Sequence, residues 1–98
     1  MKATIFLLFA VLFVALPIEA WYSGDGGLTA WDNNCYWTRP GGGPGWAYPS
    51  LDIQCGGVCI AHSDFCQKFD WHDGTCYLYQ DGVSLSTGQQ GWMCGYRT

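Results

Sequence analysis

Residues 51–79, LDIQCGGVCIAHSDFCQKFDWHDGTCYLY, hold four of the chain's six cysteines and constrain it more than any other stretch. Cys55 and Cys59 are spaced to leave one face of a helix, because side chains four apart lie one turn above another. Cys66 and Cys76 fall in two aromatic-rich runs, CQKFDW and TCYLY, separated by His72-Asp73-Gly74. That pattern reads as a β-hairpin with an Asp-Gly turn. A helix presenting two thiols to a hairpin that presents two more is a helix-on-sheet unit held by disulfides. Ser50 is a candidate N-cap and Asp52 suits the first helical turn. Leu51, Cys55, Val58, Cys59 and His62 then share the face that should pack on the sheet. Gly56-Gly57 opposes this, since each mid-helix glycine costs roughly 1 kcal/mol relative to Ala. The helix must lean on its packing, or the glycines let it approach a strand closely.

The compartment follows from the first 20 residues, which read as a secretory signal peptide: Lys2, an apolar run over 5–16, Pro17, and Ala20 at the cleavage position. The run is too short for the roughly 20 residues of a membrane-spanning helix, and no basic cluster follows it. Its removal leaves 98 − 20 = 78 residues, 21–98, with all six cysteines. A secreted domain this small buries too little apolar surface to be comfortably stable, and three disulfides are the expected remedy. Spacing alone does not choose among the possible pairings.

Beyond the leader, Arg39, Lys68 and Arg97 stand against seven aspartates, a net charge of 3 − 7 = −4. Such a chain has no electrostatic footprint for nucleic acid, heparin or an anionic membrane. Aromatic residues are plentiful instead: all six Trp and all six Tyr lie after residue 20, with Phe65 and Phe69. So small a domain cannot bury them all. Some fill a core poor in Leu, Ile and Val, and the others form an exposed binding face.

Residues 21–34, rich in Gly and Asp, read as an irregular arm or as a first short strand, LTAW. Cys35 ties the arm down within the strand-like CYWT. Residues 39–49, RPGGGPGWAYP, read as a loop, because Gly and Pro deny it a ladder; it is either a connector whose Trp46 and Tyr48 fold back on the core or a loop that displays them to a ligand. Residues 83–91 read as an exposed polar loop with a brief VSL strand, followed by a last strand, WMCGY, that carries Cys94. The fold class expected is α+β, a small antiparallel β-sheet packed against one short helix.

These residues resemble the PAN/apple domain family, in which a helix with Cys-x-x-x-Cys is followed by Cys-x-x-Phe-x-aromatic, a turn and a Cys-x-Leu strand. The matching residues are Cys55, Cys59, Cys66, Phe69, Trp71, Cys76 and Leu78, with Cys35 and Cys94 placed like an outer bridge. The resemblance implies a PAN/apple-like domain over 21–98 with Cys35 bonded to Cys94, Cys55 to Cys76 and Cys59 to Cys66. The glycine pair and the long Gly/Pro loop depart from the family's pattern. An extracellular module that binds protein or carbohydrate is implied, not an enzyme.

His62-Ser63-Asp64 contains triad residue types, but adjacent side chains diverge and form no relay. Cys59, His62, Cys66 and His72 lack the close spacing of a zinc site, and thiols in an oxidising compartment are consumed by bridges. Asp32-Asn33-Asn34 lacks the Gly and distal Glu of a calcium loop. No catalytic residue, metal or cofactor is therefore expected. The candidate ligand-binding residues are Trp31, Asp32, Asn33, Trp46, Tyr48 and Trp92. Their rings offer flat faces to a sugar while carboxylate and amide groups meet its hydroxyls, and the same rings suit a protein partner as hot spots. The expected partner is a glycan or an extracellular protein, bound by a secreted monomer with no nucleic acid and no membrane insertion. The alternative is a disulfide-rich toxin, effector or defence protein that blocks a target protein.

Overall fold

The structure, a computed structural model, describes residues 21–43 and 45–98; the signal-peptide reading falls on residues 1–20 and lies outside the described residues. In chain order the described strands are β1 (Tyr22–Gly24), β2 (Thr29–Asn33), β3 (Cys35–Thr38) and β4 (Trp46–Pro49), followed by helix α1 (Cys55–Ala61). After the helix come β5 (Lys68–His72), β6 (Thr75–Tyr79), β7 (Ser84–Thr87) and β8 (Trp92–Arg97). Six strands form one antiparallel sheet in the order β1-β2-β8-β5-β6-β4, and β3 pairs with β7 in a separate two-stranded ribbon. The β5–β6 turn is made at Asp73-Gly74, both at positive φ (50° and 84°), as a tight Asp-Gly hairpin turn requires.

Side chains alternate along each strand, so rows of paired residues divide the sheet into two faces. One face carries Trp31, Met93, Phe69, Trp71, Cys76 and Leu78. Helix α1 packs there, around a core of Cys55, Cys59, Phe69, Leu78 and Met93. The other face carries Asp32, Cys94, Asp70, Trp92 and Tyr77. The β3–β7 ribbon lies against it, with Cys35, Trp37, Tyr79 and Cys94 forming a second core. The domain is therefore a helix, a sheet and a ribbon in three layers.

Each bridge joins parts that would otherwise separate. Cys35 and Cys94 tie the ribbon to β8, Cys55 and Cys76 tie the helix to β6, and Cys59 and Cys66 close the exit from the helix. These are the pairs the PAN/apple resemblance implies. A seven-residue helix with two glycines is far below the length that is stable alone, so α1 depends on this attachment. Gly56 meets both the connection after β1 and strand β2: a Cβ there would overlap Asp25 Oδ2 and lie 3.3 Å from Thr29 Oγ1. Gly95 in β8 is equally constrained, because a Cβ would run into the Phe69 ring and lie 2.6 Å from the Ala30 carbonyl oxygen.

Several local readings are corrected. Residues 39–49 are not all loop, for Trp46–Pro49 form edge strand β4, paired with β6 so that Tyr48 lies opposite Cys76. Its Pro is compatible with a ladder only because the strand is at an edge. For residues 21–34 the strand alternative holds and runs further than LTAW: β2 lies inside the sheet and pairs with β8 along five residues, Thr29–Asn33. Ser50 does not cap the helix, as its hydroxyl donates to the Leu51 carbonyl at 2.9 Å. The Gln54 side chain closes the 3-10 turn before the helix, its Oε1 accepting from the Leu51 amide at 3.0 Å. Ser50 is held by its backbone, its amide donating to Gly74 O (3.1 Å) and its carbonyl accepting from Trp71 Nε1 (2.9 Å). Leu51 is exposed, because the 3-10 turn Asp52–Gln54 winds more tightly than an α-helix and takes it off the packed face.

The bridges span sequence separations of 59, 21 and 7 residues, and a cross-link restricts the unfolded chain more as its loop lengthens. Removing them as Cys35→Ser/Cys94→Ser, Cys55→Ser/Cys76→Ser and Cys59→Ser/Cys66→Ser should cost about 4, about 3 and about 2 kcal/mol respectively. Urea denaturation of the three variants beside the native chain checks that order.

Candidate functional site

The register separates the six candidate residues. Trp31, Asn33, Trp46 and Tyr48 lie on the helix face, whereas Asp32 and Trp92 lie on the ribbon face. Even on the helix face they do not meet. Four strand spacings lie between β2 and β4, roughly 19 Å. Two surfaces result, one at each end of the sheet.

At the β4 end, Trp46 is 48% exposed and is supported by Phe65, with ring centroids 4.9 Å apart. The Arg39 guanidinium lies 5.9 Å from the indole centroid. Beside it opens a cleft of about 230 Å³ whose walls include Arg39, Trp46, Gln80 and Asp81. Tyr48, half-buried, packs on His62 at 4.6 Å, and His62 Nδ1 donates to Val58 O at 2.9 Å. Tyr48 and His62 thus fasten β4 to the end of α1.

At the β2 end, Trp31 stacks on Tyr22 at 4.7 Å and lines a cleft of about 210 Å³ together with Asn33, Asp25 and Asp52. Asp32 points to the other side, where its Oδ1 accepts from the Asn33 amide at 2.8 Å.

Trp92 is enclosed by rings. His72, its cross-strand partner, stacks on it at 4.5 Å with planes 12° apart, Tyr36 reaches it from the ribbon at 5.3 Å, and Tyr77 lies 6.0 Å away. This group joins ribbon to sheet. Tyr36, His72 and Tyr77 were not among the sequence candidates, since they reach Trp92 only through tertiary pairing: His72 by the β5–β8 register, Tyr77 from β6 and Tyr36 from the ribbon.

The cations are largely committed to the fold. Lys68 Nζ lies 3.4 Å from Asp81 and 4.8 Å from the Trp37 ring centroid. Arg97 donates from Nε to Cys66 O at 2.7 Å and from Nη2 to Ser63 O at 3.4 Å. All six cysteines are in bridges, so Cys59 and Cys66 offer no thiolate. Among the described residues, no three His, Cys, Asp or Glu side chains are grouped to hold a metal ion.

Asp70 is the most perturbed acid. It is fully buried between sheet and ribbon, where Oδ2 accepts from the Trp37 amide at 2.9 Å and Oδ1 from Tyr79 Oη at 3.1 Å. Burial pushes its carboxyl up from 3.8 to about 7, against the two hydrogen bonds, which favour the anion. Burial and the adjacent Asp70 raise the Tyr79 hydroxyl in turn. Neither group lines the Trp31 cleft, and Tyr79 touches only the floor of the other.

Comparison of the chain with protein-family models, with curated proteins and with solved structures found no match.

Between the unfolded and folded pKa of Asp70, the folded chain holds a proton that the unfolded chain has released. This group's contribution is therefore greatest in acid and is lost as pH rises through about 7. The native chain should lose roughly 3 kcal/mol more than Asp70→Asn between about pH 5 and about pH 8. Asn keeps both contacts, its oxygen accepting from Trp37 and its amide donating to a rotated Tyr79 hydroxyl. Denaturation of both proteins at the two pH values checks this.

Proposed function

We propose that this chain is a secreted, PAN/apple-like binding module, without catalysis, whose ligand is a glycan held at Trp46. The observation that carries the reading is an exposed indole on an edge strand, beside a cleft walled by Arg39, Gln80 and Asp81. A sugar is recognised by that combination: its C–H face lies on an aromatic ring, while charged and amide groups around the ring exchange hydrogen bonds with its hydroxyls. An edge strand has no neighbour on its outer side, which leaves the approach to Trp46 open.

Three further features support the wider reading. The three bridges suit an oxidising, extracellular compartment, and the first 20 residues have the composition of a signal peptide. No helix among the described residues is long and apolar enough to cross a membrane. The bridge pairs, with a short helix packed on an antiparallel sheet, accord with the PAN/apple pattern. The second reading, a toxin, effector or defence protein that blocks a target protein, draws on the exposed Tyr22 and Ile53 at the other end of the sheet.

Polysaccharide pull-down and glycan-array binding of the oxidised 21–98 protein test the proposal. Trp46→Ala should weaken binding at least about tenfold, as loss of a central aromatic contact does. Trp31→Ala, at the far end of the sheet, should leave it unchanged. Failure to bind any sugar, or full binding by Trp46→Ala, sinks the glycan reading.

A further inference from the structure

The helix layer leaves the cleft of about 210 Å³ at the β1–β2 end with walls of two kinds. Phe69 and Met93, both buried, make an apolar floor, and the Trp31 indole, held by Tyr22, makes a side wall. Asp25, from the turn after β1, and Asp52, from the turn before α1, also line the cleft, each with one carboxylate oxygen already accepting a bond and the other with no hydrogen-bond partner among the described residues. No Lys, Arg or His is among the described residues that line it.

The backbone itself sets Asp25 in place. Positive φ at Asp25 (51°) and Gly26 (67°) turns the chain sharply, and Asp25 Oδ2 accepts from Thr29 Oγ1 at 2.7 Å. A carboxylate accepts at up to about four lone-pair positions, so this bond leaves capacity for a ligand. Ile53 at the mouth, 81% exposed, and the outward-facing Tyr22 extend the apolar surface. An apolar patch rimmed by polar groups is the composition of an interaction site.

We infer that this cleft receives a basic side chain, Lys or Arg, of an extracellular protein partner. Its alkyl stem lies on Phe69 and Met93, and its charged head sits between the Trp31 ring and the carboxylates of Asp25 and Asp52. Such side chains divide in the same way as the cleft, an apolar stem with a charged tip. Trp is the strongest of the cation–π partners, and the two carboxylates complement the same charge. The cleft is smaller than the roughly 300–1,000 Å³ of a drug-sized ligand site, which fits one side chain. The chain's net charge of −4 steers a cationic surface towards it. This site does not rest on the glycan reading, because Trp46 lies at the opposite end of the sheet.

Isotope-labelled, oxidised protein is titrated at low salt with the Nα-acetyl methylamides of lysine, arginine and norleucine, following the Trp31 indole N–H by NMR. The lysine or arginine amide should shift that signal saturably, and norleucine at least about tenfold more weakly. The double variant Asp25→Asn/Asp52→Asn should lose the response to a similar degree, while Trp46→Ala retains it. Asn still accepts the bonds from Thr29 Oγ1 and the Ile53 amide, so the local turns are kept. The norleucine comparison uses the native chain and decides the matter if the double variant misfolds. No response to either cation, an equal response to norleucine, an undiminished response in a folded double variant, or preference for neutral chito-oligosaccharides would overturn the inference.

Discussion

A carboxyl group shut off from water is costly unless every lone pair that matters finds a donor, and Asp70 is in that position at the centre of this domain. It is satisfied by the Trp37 amide and the Tyr79 hydroxyl, which come from the ribbon and from the neighbouring strand. Trp37 also donates through Nε1 to the carbonyls of Phe69 and Gly95, both at 3.0 Å. One ribbon residue thus answers polar groups on two central strands. Cys94 lies directly opposite Asp70 in the ladder and is bonded to Cys35, two residues before Trp37. The covalent and the polar fastening of the ribbon therefore share one row of the sheet, and neither has its geometry without the other.

The exposed aromatic ends follow from the size of the helix layer. Seven helical residues extend about 10 Å, whereas six strands are roughly 24 Å across. The helix covers the middle strands and holds Phe69, Leu78 and Met93 dry. Trp31 and Trp46 stand at the two uncovered ends, each braced by a second ring, Tyr22 or Phe65. Bracing fixes the Trp46 indole while leaving it exposed, whereas Trp31 is partly buried against the core. The two ends differ in charge: Asp25 and Asp52 make one acidic, whereas Arg39 and Asp81 make the other mixed.

Local patterns carried part of this into view. The Cys-x-x-x-Cys helix, the Asp-Gly turn and the alternating TCYLY were readable because each depends on neighbours within a few residues. The extent of the sheet was not readable in that way. β4 looked like loop because of its Gly/Pro surroundings, and for β2 the sequence left an arm or a short strand open. Both are strands only because β6 and β8 supply their hydrogen bonds. The candidate site fared similarly. Aromatic content singled out Trp31 and Trp46, but Trp92 turned out to be enclosed by rings that its register brings together.

Residues 51–79, with their four cysteines, set a helix-on-sheet unit from the sequence by itself. Only the tertiary structure decided what the rest of the chain does. A strand's partner, a side chain's face and the burial of Asp70 are properties of pairs distant in sequence. So is the separation of Trp31 from Trp46, because strand order, not sequence spacing, sets the distance between them.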